Sequence, residues 1–156
     1  VNRLDKETSG LMMIAKSRYV HDAFSHDIKQ VKRVYHALVE GNPGQGTVNA
    51  PIDHAEGHGT KREVREGGKE AITHYRTIKT IGEYSLVECK LETGRTHQIR
   101  VHMAYLGCPL VGDPLYGEGE GFYLDSVEIA FRHPITQQCM TLKKVFNDVR
   151  IKKIKS

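Results

Sequence analysis

Val31-Lys32-Arg33-Val34-Tyr35-His36-Ala37-Leu38-Val39-Glu40 alternates along its length. Val34, His36 and Leu38 take one side of an extended chain and Arg33, Tyr35, Ala37 and Val39 the other, before Gly41-Asn42-Pro43-Gly44 breaks the pattern. Period-two alternation closed by a turn cluster reads as a strand, with Tyr35 in its middle. Upstream, residues 11–16, apolar without a break as far as Ala15, follow Ser9-Gly10 and predict a buried strand. Ser17 is then placed to cap a helix over 18–29, with Val20, Phe24 and Ile28 along one stripe. Downstream, residues 44–68 are rich in Gly, His and charge and predict loop with at most short strands. Residues 71–81 and 84–91 read as a hairpin through Gly82-Glu83. Thr96 is a candidate N-cap for a helix over 97–106, ended by Gly107 and Pro109. Residues 126–132 and 137–145 read as a last strand pair across His133-Pro134-Ile135-Thr136. Strands with two principal helices and no regular alternation predict an α+β domain around a mixed, mainly antiparallel sheet.

A chain of 156 residues fits one domain. Counting Gly with the apolar residues and setting Tyr aside gives an apolar fraction of about 44%, just under the roughly 45–50% of soluble domains. The net charge of +4 sits at the C-terminal end, where residues 143–156 carry a strong basic excess and 146–156 read as a solvated basic tail. The longest apolar run, residues 11–15, falls far short of the roughly 20 that span a bilayer. Arg3, Asp5, Lys6 and Glu7 argue against a signal peptide in the first ten residues, and the chain, which does not open with Met, is expected to be an excerpt. Cys89, Cys108 and Cys139 are odd in number and form no CxxC, which argues against a disulfide framework or zinc site and for a reducing, cytoplasmic setting. The glycines at 117, 119 and 121 lie among acidic residues and lack the last Gly of a dinucleotide-binding turn, so no nucleotide cofactor is expected. His54 and His58 are separated by Gly57, which breaks a shared helical face, and no metal is expected.

Two segments carry the chemistry: residues 3–10, Arg-Leu-Asp-Lys-Glu-Thr-Ser-Gly, and residues 93–102, Thr-Gly-Arg-Thr-His-Gln-Ile-Arg-Val-His. In the second, helical spacing puts His97, Arg100 and Ala104 on one stripe, where amides at the helix start and Arg100 favour an anion. Taken singly, each residue also has an ordinary reading. Asp5 before Thr8-Ser9-Gly10 is a normal turn former, Arg100 a normal ion-pair partner and Tyr35 a normal sheet-face residue.

Taken together they are distinctive. Val1-Asn2-Arg3-Leu4-Asp5 with Thr8-Ser9-Gly10, then residues 32–41, 68–73 and 93–102, then Gly107-Cys108-Pro109 and Gly112-Asp113-Pro114-Leu115-Tyr116-Gly117, closely resemble the RluA-type pseudouridine synthases in motif order across nearly the whole chain. The resemblance implies isomerisation of uridine to pseudouridine in ribosomal or transfer RNA, with no cofactor, no membrane and a monomeric full-length protein. It implies Asp5 as the catalytic carboxylate, Arg100 as its guanidinium partner in a bidentate pose, and Tyr35 as an active-site tyrosine. Arg3, Arg95 and Thr96 are the expected substrate contacts, with the target uridine flipped out or in a loop. The family usually has His where Asn2 stands. Its RLD motif normally lies behind strands that complete the sheet, so residues 1–156 are expected to be the C-terminal larger part of a catalytic domain, without an S4-like module. The competing class is an RNA-binding module without catalysis. A carboxylate-dependent hydrolase would need a second carboxylate paired with Asp5, and the sequence offers no clear one.

Overall fold

A computed structural model describes residues 4–57 and 59–144 of the chain. Its elements in chain order are β1 (Ser9–Gly10), α1 (Arg18–His26), a 3-10 turn (Ile28–Gln30), β2 (Lys32–Glu40), β3 (Gln45–Asn49), β4 (Ile52–His54), β5 (Arg62–Val64), β6 (Ile72–Ile81), β7 (Tyr84–Leu91), α2 (Gln98–Tyr105), β8 (Leu124–Arg132) and β9 (Cys139–Lys143). Among the described residues no helix is long and apolar enough to cross a membrane. The architecture is α+β. A seven-stranded sheet runs β1-β8-β2-β7-β6-β3 with β9 also on β8, and β4 and β5 form a separate two-stranded ribbon. Only β1 against β8 is parallel.

The alternating stretch at 32–40 becomes the middle of this sheet, between β7 and β8. Tyr35, Ala37 and Val39 pack with Ile99 and Met103 of α2, and Leu38, on the opposite face, packs with Leu86 and Tyr123. Both faces are covered, which is why a strand with so few exposed positions holds its register. The register shifts between Val34, opposite Glu128, and Tyr35, opposite Ser126, so Val127 bulges from β8 next to Tyr35. A bulge of this kind twists a strand and re-aims its neighbours.

Three expectations need correction. Residues 11–16 form no buried strand. β1 is limited to Ser9–Gly10, and after the Leu11 N–H to Ser126 carbonyl bond at 2.9 Å the ladder ends, because β9 takes the edge of β8 from Glu128 onward. Leu11 and Met13 still pack against Phe24, Val31 and Ile129, whereas Met12 and Ile14 face out. The first helix is capped as expected, Ser17 Oγ accepting the Val20 N–H at 3.3 Å, but stops at His26 because Asp27 leaves helical geometry. The second helix starts one residue late: His97, not Thr96, is the cap residue, and it adopts a left-handed φ of 56°. The basic tail at 146–156 and the end of the strand expected over 137–145 lie outside the described residues.

Gly10 shows why the first motif ends in glycine. Its φ is 109°, and a Cβ there would sit 2.3 Å from the Ser126 carbonyl oxygen. No other residue type lets the backbone turn this close to β8.

Candidate active site

Residues 4–8 arrive at the sheet as a turn, with the Thr8 N–H donating to the Asp5 carbonyl at 2.9 Å. Ser9 fastens it, its hydroxyl donating to Asp125 Oδ1 at 2.9 Å. Asp125 is itself buried and takes Lys144 Nζ at 2.8 Å and the Tyr123 hydroxyl at 3.3 Å. The loop carrying Asp5 is thus pinned to β8 by a backbone ladder on one side and a neutralised carboxylate on the other.

Asp5 lines a cavity of about 320 Å³, together with Tyr35, Arg95, Thr96, His97 and the apolar side chains of Leu4, Ile99 and Leu124. Apolar walls with a few convergent polar groups are the usual composition of a ligand site. Asp5 Oδ2 lies 3.8 Å from Arg100 Nη1. The bidentate partner of Arg100, however, is Asp113: Nε donates to Oδ2 and Nη2 to Oδ1, both at 2.8 Å. Burial opposes the Arg100 charge, but the Asp113 hydrogen bonds outweigh it and hold the guanidinium above its ordinary range. The same guanidinium lies 4.5 Å from the Phe122 ring centroid and 5.1 Å from that of Tyr116. Clamped by Asp113 and packed against two rings, it turns Nη1 toward Asp5 without spending its fork on it.

Arg95 reaches outward, its Nε donating to the Glu70 carbonyl at 2.6 Å. Arg3 lies outside the described residues. The loop before α2 is held by Gln98, whose side-chain oxygen accepts the Arg95 N–H at 2.9 Å and the Thr93 hydroxyl at 2.7 Å. The Gln98 amide nitrogen donates to the Ile72 carbonyl and to Thr73 Oγ1, both at 3.0 Å. Gln98 therefore does the work expected of a Thr96 cap.

Three residues without an assigned role in the sequence analysis belong to this site. Asp113 stood in a family-like motif, Gly112-Asp113-Pro114, with no role assigned to it; its full burial is what makes it the counter-ion. Gln98 gave no signal beyond its place beside the expected cap. His97 did lie on the stripe with Arg100. Its Nδ1 is 2.7 Å from the Tyr116 hydroxyl, which also accepts the Arg62 N–H at 2.8 Å. Burial lowers the His97 pKa, with nearby Asp5 opposing.

The family model described as RNA pseudouridylate synthase matches residues 1–105. The chain belongs to that family. An uncharacterized RNA pseudouridine synthase of Bacillus subtilis, YlyB, is 43% identical over 145 residues, covering 87% of this chain and 48% of its own length. The ribosomal large subunit pseudouridine synthase D of Xanthomonas campestris is 48% identical over 120 residues, covering 75% of this chain and 36% of its own. The chain thus spans about half or less of the length of these curated relatives. Among solved structures, human RNA Pseudouridylate Synthase Domain Containing 1 superposes with a TM-score of 0.78 at 25% identity, covering 93% of this chain and 67% of that one. These likenesses agree with the RluA-type motifs.

Proposed function

We propose that this pseudouridine synthase chain isomerises uridine to pseudouridine in RNA, with Asp5 as the catalytic carboxylate. The observation that carries the reading is Asp5 in a partly apolar cavity, facing Nη1 of a guanidinium already neutralised by Asp113. In the reaction the N1–C1′ bond breaks, the uracil turns, C5 bonds to C1′, and the C5 proton leaves while N1 gains one. Atoms and oxidation state balance without a cofactor. Asp5 acts by attack on C1′, by attack on C6, or by taking the 2′ proton on a glycal route. Tyr35, in the cavity wall, is proposed to help remove the C5 proton after re-attachment. A stacked uridine does not reach Asp5, so the target is flipped out or lies in a loop. Arg95 and Thr96 line the cavity and are proposed to meet the RNA backbone, as is Arg3.

The ribosomal name of the Xanthomonas relative favours ribosomal over transfer RNA as the substrate. We further read residues 1–156 as the larger part of one catalytic domain, in a protein that acts as a monomer. Mapping pseudouridines in RNA from cells lacking the protein, and from cells complemented with parent or Asp5→Asn protein, tests the reading. Specific sites should vanish in the null strain and return only with the parent. Sites that return equally with Asp5→Asn contradict it.

A further inference from the structure

Arg33 lies near the start of β2, on the same face as Tyr35, Ala37 and Val39. It is 3% exposed, yet it lines the Asp5 cavity. A guanidinium has five N–H donors and keeps its charge in any protein environment. Among the described residues the acceptors of Arg33 are two backbone carbonyls, Val31 at 3.4 Å from Nε and Leu91 at 3.2 Å from Nη2. Both bonds are long and neither acceptor is charged. No carboxylate among the described residues forms an ion pair with Arg33, whereas Arg100 of α2 has Asp113 and Asp5.

A buried cation without a counter-ion is costly, because its solvation is lost and nothing replaces it. Burial accordingly lowers the Arg33 pKa, with Tyr35 pulling the other way. Bracing two carbonyls does not require a charge. Nη1 makes no hydrogen bond among the described residues, and it abuts Gly94 of the loop before α2, where a Cβ would lie 3.1 Å from it. Gly94 also lines the cavity, so the absence of a side chain there keeps the space at Nη1 open.

We infer that Arg33 is a phosphate-binding residue, its guanidinium receiving a backbone phosphate of the RNA whose uridine lies at Asp5. The inference rests on the RNA reading above. Phosphate is the charged group of RNA, and its oxygens match the planar fork of arginine. A uracil carbonyl fits the donors but leaves the charge uncompensated.

The test is binding, read without turnover. Protein labelled with ¹⁵N-arginine is titrated with uridine 5′-monophosphate, uridine 3′-monophosphate and uridine while the Arg33 Nε–Hε resonance is followed. At least one monophosphate should shift it saturably and bind at least about tenfold more tightly than uridine. Arg33→Met should abolish that preference while unfolding at a temperature no lower than the parent, since a buried charge with no carboxylate partner among the described residues has been removed. The inference is overturned if neither monophosphate shifts the resonance, if uridine shifts it with equal affinity, or if Arg33→Met keeps the preference. The titration of the parent decides the matter should Arg33→Met not fold. A failed phosphate preference leaves the isomerase reading standing. A parent protein that prefers the monophosphate but never isomerises uridine sinks the isomerase reading alone.

Discussion

Asp113 has no exposed surface, and its two oxygens are committed to Arg100 and to the Leu115 and Tyr116 N–H groups at 3.1 and 3.3 Å. Asp113→Asn keeps the shape but leaves a buried guanidinium without its nearest counter-ion. Breaking such a pair should cost about 3–5 kcal/mol in urea denaturation. Activity should fall as well, because Arg100 is then free to swing its fork onto Asp5. Unchanged stability would mean that the pair is solvated and does not set the Arg100 pose. From sequence, Arg100 and Asp5 were legible as partners because the family resemblance pairs them. Asp113 was not, because an Asp between Gly and Pro has the ordinary signature of a turn. What distinguishes it is burial, which arises only when the loop over 107–123 folds across α2.

At the scale of elements, α2 is wedged into the molecule by polar groups as much as by apolar ones. Thr73 Oγ1 lies 2.8 Å from His102 Nδ1, and His102 Nε2 lies 2.9 Å from the Ala50 carbonyl. The carbonyl requires Nε2 to donate, so in the neutral ring Nδ1 accepts from Thr73, whose oxygen takes the Gln98 amide. Burial lowers the His102 pKa, opposed in part by the Ala50 bond. His97 is lowered as well, burial again leading. An unfolded histidine near 6.5 binds protons more readily than either, so their stabilisation is complete above about pH 6.5 and is lost as pH falls through the lower folded values. The urea midpoint should therefore drop between about pH 7.5 and pH 5, and His102→Gln, which preserves both hydrogen bonds without titrating, should flatten that drop. An equal drop in His102→Gln would assign the effect elsewhere. The long strands and both helices were legible because alternation and turn or helix-stop residues are local signals. The fate of residues 11–16 was not, since it depends on β9, which competes for the same edge of β8 from far along the chain. The cap of α2 was misplaced for a related reason: Gln98 is oriented by Thr73 and Thr93, residues of another strand and loop.

Across the whole molecule, β2 carries Tyr35 in the centre of the sheet, β1 ties the Asp5 loop to β8, and α2 brings Arg100 Nη1 to 3.8 Å from Asp5. Three distant stretches of sequence meet at one cavity, and that convergence is why each residue alone read as ordinary while their motif order identified the family. The central claim is that Asp5 supplies the chemistry and other groups supply most of the affinity. It is tested most directly by release of the C5 proton from RNA labelled at C5 of uridine, comparing the complete protein with its Asp5→Asn variant. The substitution keeps size and hydrogen-bonding reach but removes the charge. Proton release should fall below detection while RNA affinity changes by less than about threefold, because phosphate contacts dominate binding. Release from Asp5→Asn at the parent rate would contradict the account.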